Sequence, residues 1–229
     1  MQWLLKKPIA HRGVHTKELC ENSLGAFTNA ISKNYAIELD VQLTQDEQLV
    51  VFHDENSFRL TNNSFEVSAT PYKELRKLTL LETQEHIPLL SEVLSLVQGK
   101  VPLLIELKNR EFNEKMQQQL AIMLDNYKGE VAISSFNHKS IKWFGEHRPS
   151  ILRGLNFGNI KKYNFLDFLT FLYRFDRSEP NFVAVEYPLL KTLIVKYCRF
   201  LKIPLICWNV DTEEKKEKAL KKVQNIMIE

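Results

Sequence analysis

Apolar runs of strand length alternate along this chain with segments whose apolar positions recur every three or four residues, the pattern of repeated βα units feeding a parallel sheet. Eight runs read as strands: residues 8–11, 36–43, 102–107, 131–134, 151–156, 182–185, 204–209 and 225–228. Phe112, Met116, Leu120, Met123, Leu124 and Tyr127 share one helical face, as do Leu189, Leu193, Ile194, Tyr197, Cys198 and Leu201. Eight strands joined by crossover helices predict an α/β fold of the closed TIM (β/α)8 barrel type.

A further apolar run, 49–53, follows the second strand after only the short stretch 45–48. A parallel crossover needs about a dozen residues or more, so this run predicts an antiparallel hairpin that lifts His53 over the end of the second strand. Residues 54–88 lack clear strand and helix alternation and are rich in Asn, Thr and Ser; they read as an insertion or lid on the same face. No repeat or linker marks a second domain, so one domain is expected over 1–229. The eighth strand is reached just before the last residue, Glu229, leaving no last helix. Barrels of this type typically take about 250 residues, and the shortfall falls at this end. An exposed apolar strip is expected there, covered either by the residues before Pro8 or by a partner subunit.

Composition narrows the function class. With 44% apolar and 26% charged residues, the chain is neither disordered nor fibrous. Seven glycines, about 3% against roughly 7% in average usage, argue against a fold full of tight hairpins. A formal charge of +3 carries no footprint of a nucleic-acid binder. Cys20, Cys198 and Cys207 form neither an even framework nor a C-x-x-C pair, which reads as reduced thiols in a cytoplasmic setting. No apolar run reaches the length of a membrane span or of a signal-peptide core.

The chemistry concentrates at predicted strand ends. Side chains at i and i+2 of a strand share a face, so Glu38 and Asp40 point the same way, and Glu106 and Lys108 repeat the device on the third parallel strand. Buried charges cost several kcal/mol each unless paired or metal-bound. A structural ion-pair cluster would satisfy that requirement; the neighbours favour a site. His11, Arg12 and His53 are predicted at the same mouth, whereas His15, His86, His138 and His147 read as ordinary core or surface histidines. Three carboxylates without Cys or a His pair suit a hard divalent cation, Mg²⁺ or Ca²⁺. Two histidines can divide general acid and base work around an anion held by Arg12 and Lys108, a set that fits phosphodiester cleavage. Asn22 is the expected N-cap of the helix that follows.

On these residues the sequence resembles the glycerophosphodiester phosphodiesterase family. The resemblance runs in order through His11-Arg12-Gly13, Glu21-Asn22-Ser23, Glu38-Leu39-Asp40-Val41, Val50-Val51-Phe52-His53-Asp54, Arg59 and Thr61, Ile87 to Leu94, Glu106-Leu107-Lys108, Ser134 to Asn137 and Trp208-Asn209-Val210. It implies a TIM-type barrel that hydrolyses glycerophosphodiesters to sn-glycerol 3-phosphate and an alcohol. Glu38, Asp40 and Glu106 would hold the metal, Arg12 and Lys108 the phosphate, and His11 and His53 would form the acid/base pair. Trp208 would supply an aromatic wall of the substrate site. Where the family has W-T-V-N the chain has Trp208-Asn209-Val210-Asp211, so headgroup preference is open. The family's glycine after the first helix is Asn34, and its Asp-Gly turn is Asp46-Glu47.

Two alternatives to that activity stand beside it: a lysophospholipase D-like action on acylated lipids, and a catalytically inactive barrel serving as a binding scaffold. The segment 163–175 is apolar nearly all round and reads either as a helix packed on the barrel or as a peripheral membrane or homo-oligomer contact. The charged helix 212–222 reads as a solvated face.

Overall fold

The structure, a computed structural model, describes every residue except Glu82, Asn109, Arg110 and Glu229. The strands are β1 (Ile9–Ala10), β2 (Ala36–Leu43), β3 (Leu49–Val51), β4 (Leu103–Leu107), β5 (Val131–Ser135), β6 (Leu152–Phe157), β7 (Phe182–Glu186), β8 (Leu205–Val210) and β9 (Asn225–Ile228). Their hydrogen-bonded order is β1-β9-β8-β7-β6-β5-β4-β2-β3, and β1 also pairs with β2. β3 is the antiparallel arm expected from its short connection, with Val41 opposite Val51 and Leu43 opposite Leu49. The other eight strands form a cycle, the (β/α)8 topology that the alternating pattern predicts.

The helices are α1 (Gln2–Lys6), α2 (Leu24–Ser32), α3 (Phe58–Thr61), α4 (Tyr72–Leu75), α5 (Leu90–Val97), α6 (Glu114–Asp125), α7 (His138–His147), α8 (Phe165–Ser178), α9 (Leu193–Phe200) and α10 (Glu213–Leu220). Two helical readings from the sequence are too long. Asn113 caps α6 by accepting from the Lys115 amide at 3.1 Å, which leaves Phe112 and Tyr127 outside it. Ahead of α9, Pro188 starts a 3-10 turn, Tyr187–Lys191, and Thr192 is extended, so Leu189 does not belong to that helix.

The elements pack into two compact units. One consists of residues 10–108 and 113–131; the other is built mainly from 1–9 and 132–229. In the first, the insertion 54–88 is better ordered than its polar composition suggests. Leu60, Val67, Tyr72, Leu75, Leu78, Leu80 and Ile87 form a core of their own with Val50, Phe52 and Cys20, and burying that much apolar surface fixes the segment despite its short helices.

In the second unit, α1 lies against β9. Trp3 and Leu4 are buried, and the Asn225 side-chain amide donates to the Leu4 and Lys7 carbonyls, both at 2.8 Å. Asn225, Ile226 and Met227 are buried, so of the two covers expected for the apolar strip at the last strand, the residues before Pro8 supply it. α8 is amphipathic, not apolar all round. Phe171 is buried, with Phe168, Leu172 and Phe175 packed on the core, while Phe165, Leu166, Leu169 and Tyr173 face solvent. α10 is solvated as expected, with the i,i+4 pairs Lys215 to Asp211 and Lys218 to Glu214 on its surface.

Candidate active site

The first unit contains every charged residue that the sequence assigns to the site. The register sets the carboxylates: Asp40 on β2 lies opposite Glu106 on β4, and Glu38 shares the face of Asp40 because strand side chains alternate. One ligand oxygen from each of Glu38, Asp40 and Glu106 lies within 4.8 Å of the other two. Glu38 and Asp40 are each 1% exposed, so bulk water does little to offset their charge.

Two fixed cations share the cluster. Lys108 Nζ lies 3.0 Å from Glu106 Oε1 and 3.7 Å from Asp40 Oδ1. Arg12 Nε approaches Asp40 at 3.4 Å, while its Nη1 donates to Glu21 at 2.7 Å. Burial raises the Glu38 carboxyl to about 8, with Asp40 adding to the effect. Burial also raises Glu106. For Asp40 burial pushes upward too, yet Lys108 and Arg12 hold the carboxyl below its ordinary value. Ionised together, the three carboxylates would outnumber the two cations, and an all-oxygen donor set this compact fits a hard divalent cation, whose charge would favour that ionised state. Zinc sites would call for sulfur or imidazole donors.

The turn after β1 shows why His11, Arg12 and Gly13 occur together. Arg12 adopts φ 59° and Gly13 φ 83°, the left-handed region that costs a non-glycine residue energy and recurs at functional sites. That turn aims the Arg12 backbone amide at Glu38 Oε2, 3.0 Å away, and leaves His11 Nε2 at 4.0 Å from the same oxygen. A side chain at Gly13 would meet Ala26 Cβ at 2.9 Å. Asn22 is not the N-cap. Ser23 is, accepting from the Ala26 amide at 3.2 Å. Asn22 instead takes φ 57°, donates to Asp40 Oδ2 at 2.9 Å and accepts from the Asp40 amide at 3.3 Å.

His53 sits just beyond β3. Its Nδ1 lies 2.6 Å from Asp54 Oδ1, and Asp54 is held at about 2; burial opposes that shift, and hydrogen bonds from Arg59 and His53 outweigh it. An ionised carboxylate can only accept, so Nδ1 carries the hydrogen and Nε2 is the open acceptor. Burial lowers the His53 pKa, Lys108 and Arg12 add to this, and Asp40 opposes them.

Sequence reasoning gave Arg59 no role, and the structure supplies one. Its guanidinium donates to Asp54 at 2.5 and 3.1 Å and to Glu21 at 3.0 and 2.8 Å. A continuous polar chain thus runs from Arg12 through Glu21, Arg59 and Asp54 to His53. The only signal in the sequence was the order of these residues.

Trp208 belongs to the second unit. It stands on β8, half-buried, with Phe136 edge-on at 5.9 Å. Gly158 makes room for it, since a Cβ there would fall 2.4 Å from the indole. Next to it, a cavity of about 430 Å³ is lined by Glu186, Tyr187, Asn209, Asp211 and Lys215, among others. Among the remaining histidines, His86 lies 3.9 Å from Glu92, His138 meets Tyr173 edge-on and His147 stacks on Trp143; none belongs to the acidic cluster.

A sequence description of the glycerophosphoryl diester phosphodiesterase family matches residues 11–226. The glycerophosphodiester phosphodiesterase of Caldanaerobacter subterraneus is 33% identical over 235 residues, covering 93% of this chain and 89% of that protein. YhdW of Bacillus subtilis is 31% identical over 219 residues, covering 90% of this chain and 86% of that protein. Among solved structures, an Oleispira antarctica phosphodiesterase in complex with the product sn-glycerol-3-phosphate aligns with a TM-score of 0.86 at 22% identity, covering 99% of this chain and 94% of that one.

Proposed function

Because this chain belongs to the glycerophosphoryl diester phosphodiesterase family, we propose that it hydrolyses glycerophosphodiesters to sn-glycerol 3-phosphate and an alcohol by metal-assisted acid/base catalysis. The observation that carries this reading is the cluster of buried Glu38 and Asp40 with half-buried Glu106, with Arg12 and Lys108 against it. Those three carboxylates would hold Mg²⁺ or Ca²⁺. When bound, such an ion supplies Lewis-acid stabilisation of charge on the phosphoryl oxygens. Arg12 and Lys108 would position the phosphate, the first as a planar donor and the second as a point charge.

His53 Nε2 would accept the proton of the glycerol 2-hydroxyl as that oxygen attacks phosphorus. Asp54 supports this assignment by fixing the tautomer, and the lowered pKa keeps the imidazole neutral at neutral pH. His11 would then protonate the departing alcohol oxygen. Water would open the resulting cyclic phosphate with the two roles reversed, since the proton taken in the first step must be returned. Trp208 would contribute the aromatic wall. Three buried thiols with no disulfide among them support a reducing, cytoplasmic setting.

The test is release of glycerol 3-phosphate from glycerophosphocholine, with a lysophospholipid assayed in parallel. The wild type should turn over the first, lose activity in EDTA and regain it with Mg²⁺ or Ca²⁺. His53→Ala should lose about 100-fold or more, the usual scale of a general base. Equal turnover by wild type and mutant would remove His53 from catalysis, activity unaffected by EDTA would remove the metal, and preference for the lysophospholipid would change the substrate class. Turnover of neither would favour a binding scaffold.

A further inference from the structure

The second unit exposes large apolar side chains at the starts of α8 and α9, apart from Tyr173, Phe200, Leu201 and Leu220 farther along its helices. α8 and α9 follow β6 and β7, so their first turns sit at the carboxyl ends of those strands, the end that carries sites in barrels of this topology. There Phe165 is 62% exposed, Leu166 70%, Leu169 44% and Leu193 42%. Each is large, and their exposure is not forced by sequence periodicity alone, because the opposite face of α8 already supplies Phe168, Phe171, Leu172 and Phe175 to the core.

The exposed charges around these residues are mostly cations. Lys161 and Lys162 precede α8, Lys191 precedes α9 and Lys196 lies on its second turn, all exposed. Over 160–202 the chain carries eight basic and four acidic residues, which exceeds the excess of the whole protein. Of those acids, Asp167 lies in the first turn of α8, where it accepts from the Asn164 amide of the cap at 2.7 Å, and Glu186 accepts from the Asn159 amide at 2.7 Å. The other two, Asp176 and Glu179, lie toward the far end of α8 together with Arg174 and Arg177, and Arg199 and Lys202 lie at the far end of α9, so the first turns are flanked by four lysines against Asp167 and Glu186. Aromatic and leucine side chains rimmed by exposed lysines suit the boundary between headgroups and acyl chains of an anionic bilayer, where apolar tips insert and ammonium groups meet lipid phosphates.

We propose that the first two turns of α8 and α9, through Phe165, Leu166, Leu169 and Leu193 with Lys161, Lys162, Lys191 and Lys196, dock the protein peripherally on an anionic lipid surface. The contact is interfacial: among the described residues no helix is long and apolar enough to cross a membrane. The inference stands on exposure and charge and is independent of the catalytic reading.

Flotation of the full-length protein with vesicles tests it. Wild type should float with vesicles of equal parts phosphatidylcholine and phosphatidylglycerol, and not with phosphatidylcholine alone. Raising salt from about 0.1 M to about 1 M should weaken binding, since the Debye length falls from about 10 Å to about 3 Å. Leu166→Asp should lower the bound-to-free ratio by about tenfold, the order expected when a charge replaces an inserted apolar side chain. Lys161→Gln combined with Lys162→Gln should weaken binding without touching an apolar residue. Ile122→Asp, at a residue on α6 that is 61% exposed, is the control and should float like wild type. Far-UV circular dichroism establishes that each variant is folded, and turnover of soluble glycerophosphocholine should be unchanged in all of them. No flotation of wild type, equal binding to neutral vesicles, or equal flotation of Leu166→Asp and of the lysine variant would overturn the proposal. A concentration-dependent dimer that Leu166→Asp abolishes, without vesicle binding, would assign the face to a second copy instead.

Discussion

Arg59 joins two carboxylates that sit far apart in the chain, and its value lies in orientation more than in attraction. It is about half exposed, its side chain at 47%, so the Coulomb energy of its pairs is heavily screened. What the fork geometry contributes is direction: both Asp54 oxygens are engaged, and the one that faces His53 is therefore fixed. Partners that orient a working histidine or carboxylate typically matter by 10- to 100-fold. Arg59→Ala should accordingly lower kcat/KM for glycerophosphocholine by about 10- to 100-fold. Arg59→Lys should recover only part of that, because an ammonium cannot bridge two carboxylates in a plane. Steady-state kinetics on both variants checks this; equal activity of the alanine variant and wild type would make the bridge purely structural.

Asp54 adds a pH dependence of stability whose sign follows from its shift. Its folded value, about 2, lies below the roughly 3.9 of an unfolded aspartate. The unfolded chain therefore binds the proton first as the pH falls. The stabilisation is present above about pH 4 and is lost as the pH drops through about 2. Urea unfolding of wild type and Asp54→Asn should differ at about pH 5 and converge towards about pH 2. A difference independent of pH would mean that Asp54 acts through packing alone.

At the scale of elements, the sequence pattern carried far where the forces are local and periodic. The apolar run 36–43 became β2 with the expected ends, and the alternation of Glu38 and Asp40 placed both carboxylates on one face, where the register brings Glu106 alongside. The antiparallel arm followed from loop length alone. Tertiary demands decided the rest. Asn22 has the chemistry of an N-cap, but the left-handed turn that satisfies Asp40 moves the cap one residue on, to Ser23. Arg59 and Glu21 are 38 residues apart, a pairing that no periodicity records. Likewise, the cover that α1 gives β9 joins opposite ends of the chain. The cap itself is testable. Ser23→Ala removes the acceptor of the Ala26 amide and should cost about 1 kcal/mol, read as a lower urea midpoint with an unchanged slope. Because α2 follows directly from the turn that holds Asp40, Asn22→Ala should cost activity as well as stability, whereas Ser23→Ala should chiefly lower stability.

For the whole molecule the open issue is whether the two compact units fold together, and the cysteines report on it without any added label. Cys20 lies in the unit that holds the acidic cluster, and Cys198 and Cys207 in the other. All three are buried. Burial raises the thiol of Cys20 to about 11 and those of Cys198 and Cys207 to about 12. Thiolate is the reactive form, so each is protected twice, by access and by protonation. At about pH 8 a water-soluble disulfide reagent should leave the native protein untouched for as long as it stays folded. We expect the chain to act as one domain over 1–229, since a single family description runs through residues 11–226 without a break. Labelling across a urea series, with each cysteine identified by peptide mass, should then give one midpoint for all three, coincident with the loss of circular dichroism. A separate midpoint for Cys20 would show that the unit bearing the acidic cluster opens by itself. Catalysis could then be lost under conditions in which half of the chain remains folded.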